Sequence, residues 1–255
     1  MSMKPNIDPQ RAAPRFRPVK AMQHMNRLLA DKEDTEQVFH IIEALNGNTL
    51  ERRLKRILRT PEGVAMMERR RELPEIMDEH ERWLALPEGT VGRAYVAFMR
   101  REGLTAAGLV EESEKMLAHR QQYDDDIDFY GRRLRDTHDL YHVLSGYGRD
   151  QLGEVCVLAF SHAHQGGMGT QFISFMGARD LSKVAPKPHL IRAAHKEAKA
   201  NGKASLSLAS EDIVALMYEP LNEARTRMGI REPIAYKAAL RSLTEIGYDG
   251  QLSAA

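Results

Sequence analysis

The chain has 255 residues, with 37 Lys and Arg set against 36 Asp and Glu for a formal net charge of +1. That length suits one large domain or two small ones, and the balanced charge argues against a dedicated nucleic-acid binder, which needs a basic excess on one face. A single cysteine, Cys156, rules out an intramolecular disulfide framework and suits a reducing compartment; set in an apolar stretch, it reads first as a small core residue.

Residues 1–20 carry Pro5, Pro9, Pro14 and Pro18 among Arg11, Arg15, Arg17 and Lys20, too polar for a signal peptide or a membrane span. A flexible or extended arm is expected there, either a solvated tail or a basic segment touching anionic lipid headgroups. No typical transit peptide or secretory signal is read, which points to the bacterial cytoplasm. From Ala21 the pattern is helical: Met22, Met25, Leu28 and Leu29, then Val38, Ile41, Ile42 and Leu45, repeat at threes and fours until Asn46-Gly47-Asn48 interrupts them. Thr49 to Arg59 and Pro61 to Arg71 give two more helices, and Thr90 caps another that turns Val91, Tyr95, Phe98 and Met99 inward.

Glu112 to Ser145 reads as a long helix-compatible run without proline. Its Asp124-Asp125-Asp126 cluster is a solvated face or a helix start. Within the run, His138-Asp139-x-x-His142 places two imidazoles one helical turn apart, about 40° from each other, with a carboxylate at the flank. Glu154 follows twelve positions later, and on an unbroken helix it would point about 120° away. Ser145-Gly146-Tyr147-Gly148 argues instead for a turn and a second helix from about Asp150 that returns Glu154 toward the histidines.

After Glu154 come the most apolar stretches, Val155 to Phe160 and Phe172 to Met176, which either line an apolar groove or form core. Between them His162 and His164 face different ways on a helix. Leu190 to Ala200, Glu211 to Met228 with a break at Pro220, and Pro233 to Ile246 complete the helices; Arg192, Lys196 and Lys199 form a basic face toward solvent or a membrane surface. Strand series, phosphate-binding glycine loop, internal repeat and Gly-x-Ser-x-Gly are all missing from the sequence. The fold class is therefore all-α, a single multi-helix bundle-like domain over 21–250 with a metal site between two helices and an apolar groove.

At His138, Asp139, His142 and Glu154 the chain resembles the coenzyme Q (ubiquinone) biosynthesis protein 4 family, whose metal motif is H-D-x-x-H followed after eleven residues by Glu. L-P-E-G-T-V-G-R-A-Y at Leu86 to Tyr95 and the text around the motif resemble it too, over about Thr49 to Arg231. Two nitrogens with carboxylate oxygens suit a divalent metal, zinc first, with iron, manganese or magnesium as alternatives. The resemblance implies oxidative decarboxylation at C1 of a polyprenylated 4-hydroxybenzoate-type ring, a lyase activity. His138 and His142 are then core ligands, Asp139 a ligand or orienting partner, and Glu154 a ligand or proton-handling carboxylate. Arg132, Arg133 and Arg149 are candidates for the substrate carboxylate, or else exposed salt-bridge residues. Other quinone-biosynthesis proteins, the periphery of the bacterial inner membrane and further copies of the chain are the partners to expect from the resemblance. Two rival readings stand: a non-catalytic isoprenoid-binding scaffold, and an HD-type metal phosphohydrolase with His119 and Asp180 as its additional ligands.

Overall fold

The computed structural model describes residues 3–31, 34, 36–117 and 121–248, and among these no strand occurs, only an isolated antiparallel bridge between Thr90 and Pro220. The all-helical reading holds. The contacts divide into two compact units: Met1–Ala13, Asn48–Leu144 and Ser207–Met228 in the first; Pro14–Gly47, Ser145–Leu206 and Gly229–Ala255 in the second.

In the first unit the helices start where the chain supplies caps. Thr60 accepts from the Gly63 N–H ahead of Pro61–Arg69, and Thr90 accepts from the Arg93 N–H ahead of Val91–Glu102, which ends on Gly103 at φ 67°. The long run expected over 112–145 is three helices, Ala106–Leu117, Asp126–Asp136 and His138–Ser145. Asp125 sets the second of them, its carboxylate accepting from the N–H groups of Ile127 and Asp128. Leu54, Leu58, Met66, Met67, Ile127, Phe129 and Tyr130 form one apolar core around these elements, each such side chain contributing about 1.5–3 kcal/mol on burial.

The aspartate cluster is a helix start, as one of the two readings had it, but Asp125 and Asp126 are buried rather than solvated. What covers them is the N-terminal arm. Its first half is extended and docked: the Asn6 N–H donates to Asp126 at 2.7 Å, the Asp8 N–H donates to Asp125 at 3.1 Å, and Arg11 pairs with Asp125 at 2.5 Å and Asp128 at 2.7 Å. The solvated-tail reading fails for these residues because three carboxylates crowded at one helix end need donors, and the arm brings them.

In the second unit Gln151–Gln165 packs on Met168–Val184 and Pro188–Ala204. Gly202 lets the crossing close, since a Cβ there would meet the Phe160 carbonyl oxygen at 2.1 Å. Val155, Cys156, Val157, Ala159 and Phe160 are buried, so this stretch is core. Burial pushes the Cys156 thiol well above its usual range, which makes it an inert core residue. The turn expected at the paired glycines is present: Gly146 takes φ 76°, and Asp150 caps the new helix by accepting from the Gly153 N–H at 3.0 Å. Tyr236 braces it, accepting from the Gly148 N–H at 2.9 Å and donating to Asp150.

Arg11→Ala removes the cation from a largely buried cluster and is expected to lower unfolding free energy by about 3 kcal/mol at neutral pH. Burial pushes the Asp125 carboxyl up, but Arg11 and backbone donors outweigh it and hold it below its ordinary 3.8. A depressed carboxylate stabilises above its unfolded value and loses that contribution as pH falls through the folded one. The penalty of the substitution therefore shrinks below about pH 3.8, which denaturant melts across pH will read.

Candidate metal centre

Thr137 separates the two helices that lead to the motif. Fully buried, it donates its hydroxyl to the Arg133 carbonyl at 2.9 Å, and its own N–H closes on the same carbonyl at 3.1 Å. His138 thus opens a new eight-residue helix, His138–Ser145, with Asp139 in its first turn. A carboxylate is favoured at that end by the helix dipole. The far end is closed by Arg225, whose guanidinium donates to the Leu144 carbonyl at 2.9 Å and the Val143 carbonyl at 3.0 Å, satisfying carbonyls that a helix end leaves without partners.

On this short helix His138 and His142 stand with ring centroids 5.0 Å apart and planes at 82°, and their Nε2 atoms are 3.3 Å from each other. Two imidazole nitrogens on one tetrahedral zinc, each at 2.0–2.1 Å, lie about 3.3–3.4 Å apart. The observed separation matches that spacing and is also that of a hydrogen bond between the two rings. Phe98 stacks on the His142 ring at 5.4 Å and 21°, fixing its plane from the Val91–Glu102 helix. His138, Asp139 and His142 each offer an atom within 4.8 Å of the others, and among the described residues this is the group able to hold a metal ion.

Asp139 decides whether a metal fits. It is 7% exposed, and it offers a carboxylate oxygen within 4.8 Å of a nitrogen of each imidazole. A divalent ion held between it and the two imidazoles would give that carboxylate a cation at close range. The donor set, two nitrogens and an oxygen, suits zinc or a first-row transition metal better than magnesium.

The remaining candidates have surroundings of their own. Glu154 lies in the first turn of Gln151–Gln165, its side chain 30% exposed and its carboxylate 3.8 Å from Arg149. Arg132 pairs with Glu72 at 2.9 Å, an exposed salt bridge as one reading held. Arg133 is neither a substrate anchor nor an exposed ion pair. It is buried, donates to the Ala209 carbonyl at 2.8 Å and to the Glu211 carbonyl, and is pushed down to about 10 by burial. Its guanidinium braces the Leu208–Ser210 turn, so it is withdrawn as a substrate residue. His164 turns to the Ser205 carbonyl, 3.2 Å away. Of the two residues that a phosphohydrolase would add, His119 lies outside the described residues and Asp180 pairs with Lys183 at 3.0 Å. Arg225 and the Phe98 stack were not foreseen as parts of the site: Arg225 acts across 81 positions of sequence, and no local pattern marks it.

Fold and site together define an all-helical protein that presents a His-Asp-His group of metal-ligand geometry on one short helix. The family model described as Coenzyme Q (ubiquinone) biosynthesis protein Coq4 matches residues 19–234. This chain belongs to that family. Among relatives, the bovine protein named Ubiquinone biosynthesis protein COQ4 homolog, mitochondrial, is 26% identical over 199 residues, 76% of this chain and 72% of its own. Mitochondrial COQ4 proteins of Scheffersomyces stipitis and Pyricularia oryzae are 25% and 33% identical over 71% and 42% of this chain. The matched parts span 55% and 33% of those two fungal proteins. A crystal structure from Nostoc punctiforme, provisionally named a ubiquinone biosynthesis protein, shares the fold at TM-score 0.64, with 20% identity, 85% of this chain and 100% of that chain covered.

His142→Ala is expected to abolish metal retention, read as metal content after dialysis against the free ion, while helical content by circular dichroism persists. Glu154→Gln, measured beside it, tests the fourth position of the motif: unchanged metal affinity removes Glu154 from the ligand set without touching the other three.

Proposed function

We propose that this protein acts in ubiquinone biosynthesis as a metal-dependent lyase on a polyprenylated 4-hydroxybenzoate-type precursor. In this reading the C1 carboxyl leaves as carbon dioxide and a hydroxyl takes its place. The observation that carries it is the group His138, Asp139 and His142, whose ligand atoms lie within 4.8 Å of one another, in a family named for this pathway.

His138, His142 and Asp139 would hold the ion, and the ion would supply Lewis-acid chemistry, holding a ring oxygen and stabilising negative charge on it as the carboxyl departs. The Phe98 ring on His142 and the Arg225 cap on the helix end keep those donors in place, so little reorganisation accompanies binding. Glu154 is kept, on the family spacing, as a further ligand or proton-handling carboxylate. Arg149, 36% exposed, and Arg132 remain candidates for the substrate carboxylate. Exchanging carboxyl for hydroxyl is a two-electron oxidation that needs an oxygen source and an electron acceptor. Zinc has no redox chemistry of its own, so with zinc bound the acceptor is a separate molecule.

A membrane-surface location follows for so greasy a substrate, on the cytoplasmic side of a bacterial inner membrane, where other quinone-biosynthesis proteins would meet it. No helix among the described residues is long and apolar enough to cross a membrane. Support for a peripheral seat comes from the Pro18–Ala30 helix and the two residues before it, where Phe16, Val19 and Met22 are exposed beside Arg17, Lys20 and Arg27. No acidic residue occurs from Pro9 to Ala30. Exposed apolar side chains flanked by cations suit the boundary of an anionic bilayer.

Two outcomes are expected. Metal-loaded protein given carboxyl-labelled prenyl-hydroxybenzoate, oxygen and an artificial electron acceptor releases labelled carbon dioxide; tight binding of the lipid with no release by any metal form supports the scaffold reading instead. In flotation, the protein follows vesicles containing phosphatidylglycerol and not pure phosphatidylcholine. A variant with Arg17, Lys20 and Arg27 all changed to Glu stays behind, and undiminished flotation of that variant would rule out this helix as the membrane seat.

A further inference from the structure

We infer that the groove along the Pro18–Ala30 helix seats the phosphate group of an anionic phospholipid, held by Lys20, His24 and Arg27. The inference rests on the peripheral membrane seat proposed above and says what that seat recognises. An open groove of about 660 Å³ runs beside the helix, lined by Arg17, Val19, Lys20, Gln23, His24 and Arg27. Lys20, His24 and Arg27 fall within about 60° of one another around the helix axis and about 10 Å along it, so all three can reach one phosphate. No acid competes for them within this stretch, since none occurs from Pro9 to Ala30.

His24 separates this groove from a merely basic surface. It is 8% exposed, yet it lines the groove. Its Nδ1 lies 2.6 Å from the Gln37 side-chain oxygen, the Gln37 amide nitrogen donates in turn to the Asp34 carboxylate at 2.9 Å, and the ring stacks on His40 with centroids 4.5 Å apart. Because the amide nitrogen faces a carboxylate, its oxygen faces the imidazole, and Nδ1 is the nitrogen that donates to it. Nε2 is then the ring nitrogen left for the groove, a second donor once the ring is an imidazolium. Lys20, one turn before it, supplies a point charge, and Arg27, one turn after it, a guanidinium whose paired N–H groups match two phosphate oxygens. The flank of the groove points to a lipid as the source of that phosphate. Val19 and Met22 are 72% and 44% exposed and lie roughly 100–160° round the helix from Lys20. A helix lying at the boundary of a bilayer with those side chains inserted carries its cationic arc at the level of the headgroup phosphates. A site for free phosphate has no use for exposed apolar side chains beside it.

Arg27→Lys keeps the charge and loses the fork. Diffuse attraction to an anionic surface is indifferent to that exchange, so the variant should still float with phosphatidylglycerol vesicles. Its affinity for soluble dihexanoylphosphatidylglycerol, measured by calorimetry below the micelle concentration at fixed ionic strength, should fall about tenfold. Titrating the wild-type chain with the same lipid should shift the His24 ring signals in proton magnetic resonance spectra, identified by their loss in His24→Gln, and inorganic phosphate should shift them only at higher concentration. Equal or tighter binding of inorganic phosphate overturns the lipid as the occupant. Flotation of the wild type with no response of His24 to either probe overturns the inference and leaves the membrane seat standing as diffuse attraction. Failure of the wild type to float overturns both. Should His24→Gln not fold, Arg27→Lys decides, because Arg27 is exposed: unchanged affinity for the soluble lipid rejects the inference.

Discussion

A carboxylate buried without a cation is the constraint around which the first unit is arranged. Elsewhere in that unit every buried acid has been given a donor or a positive partner: Asp125 has Arg11, Asp126 has Arg70 at 2.5 Å, and Asp136 has Arg135. These pairings follow from the high cost of taking an ionised group out of water alone. Asp139 is set differently, with an oxygen within 4.8 Å of a nitrogen of each of two imidazoles. That arrangement is one a divalent ion could complete.

The scaffold around that group is built to hold a short element still. A helix of eight residues is marginal in isolation, so its geometry depends on what fastens it. Thr137 ends the preceding helix and starts this one, Arg225 closes its last carbonyls, and Phe98 fixes one imidazole plane. None of the three is a ligand. All three lie in one unit, so the His-Asp-His group belongs to a single packed body rather than to a mobile loop.

Much of this was legible in the residues because it depends on local period. Two histidines four apart share a helix face whatever the tertiary fold, and Gly146 marks a turn because its φ of 76° suits glycine above other residues. The break inside 112–145 was not legible, since neither proline nor glycine makes it: a capping aspartate and a buried threonine do, and both residue types also occur within helices. Arg133 illustrates the same limit from the side of charge. In R-R-L-R-D it looks like its neighbours, yet it is buried among backbone carbonyls while Arg132 reaches solvent. The docking of the arm joins Arg11 to Asp125 across 114 positions, a distance over which no periodicity speaks.

The geometry also bears on how metal and fold are linked. The two nitrogens lie at the spacing a tetrahedral ion requires, on a helix fastened by contacts of its own. That contrasts with small zinc modules whose site forms only as the chain folds around the ion. An ion bound here would add stability only as the logarithm of free metal over its dissociation constant. A site assembled in advance, with its ligands drawn from one short helix, leaves coordination positions uncommitted to the first unit. Those positions are where a substrate oxygen or a further carboxylate can enter, and a Lewis-acid centre needs that opening whereas a purely structural one is closed.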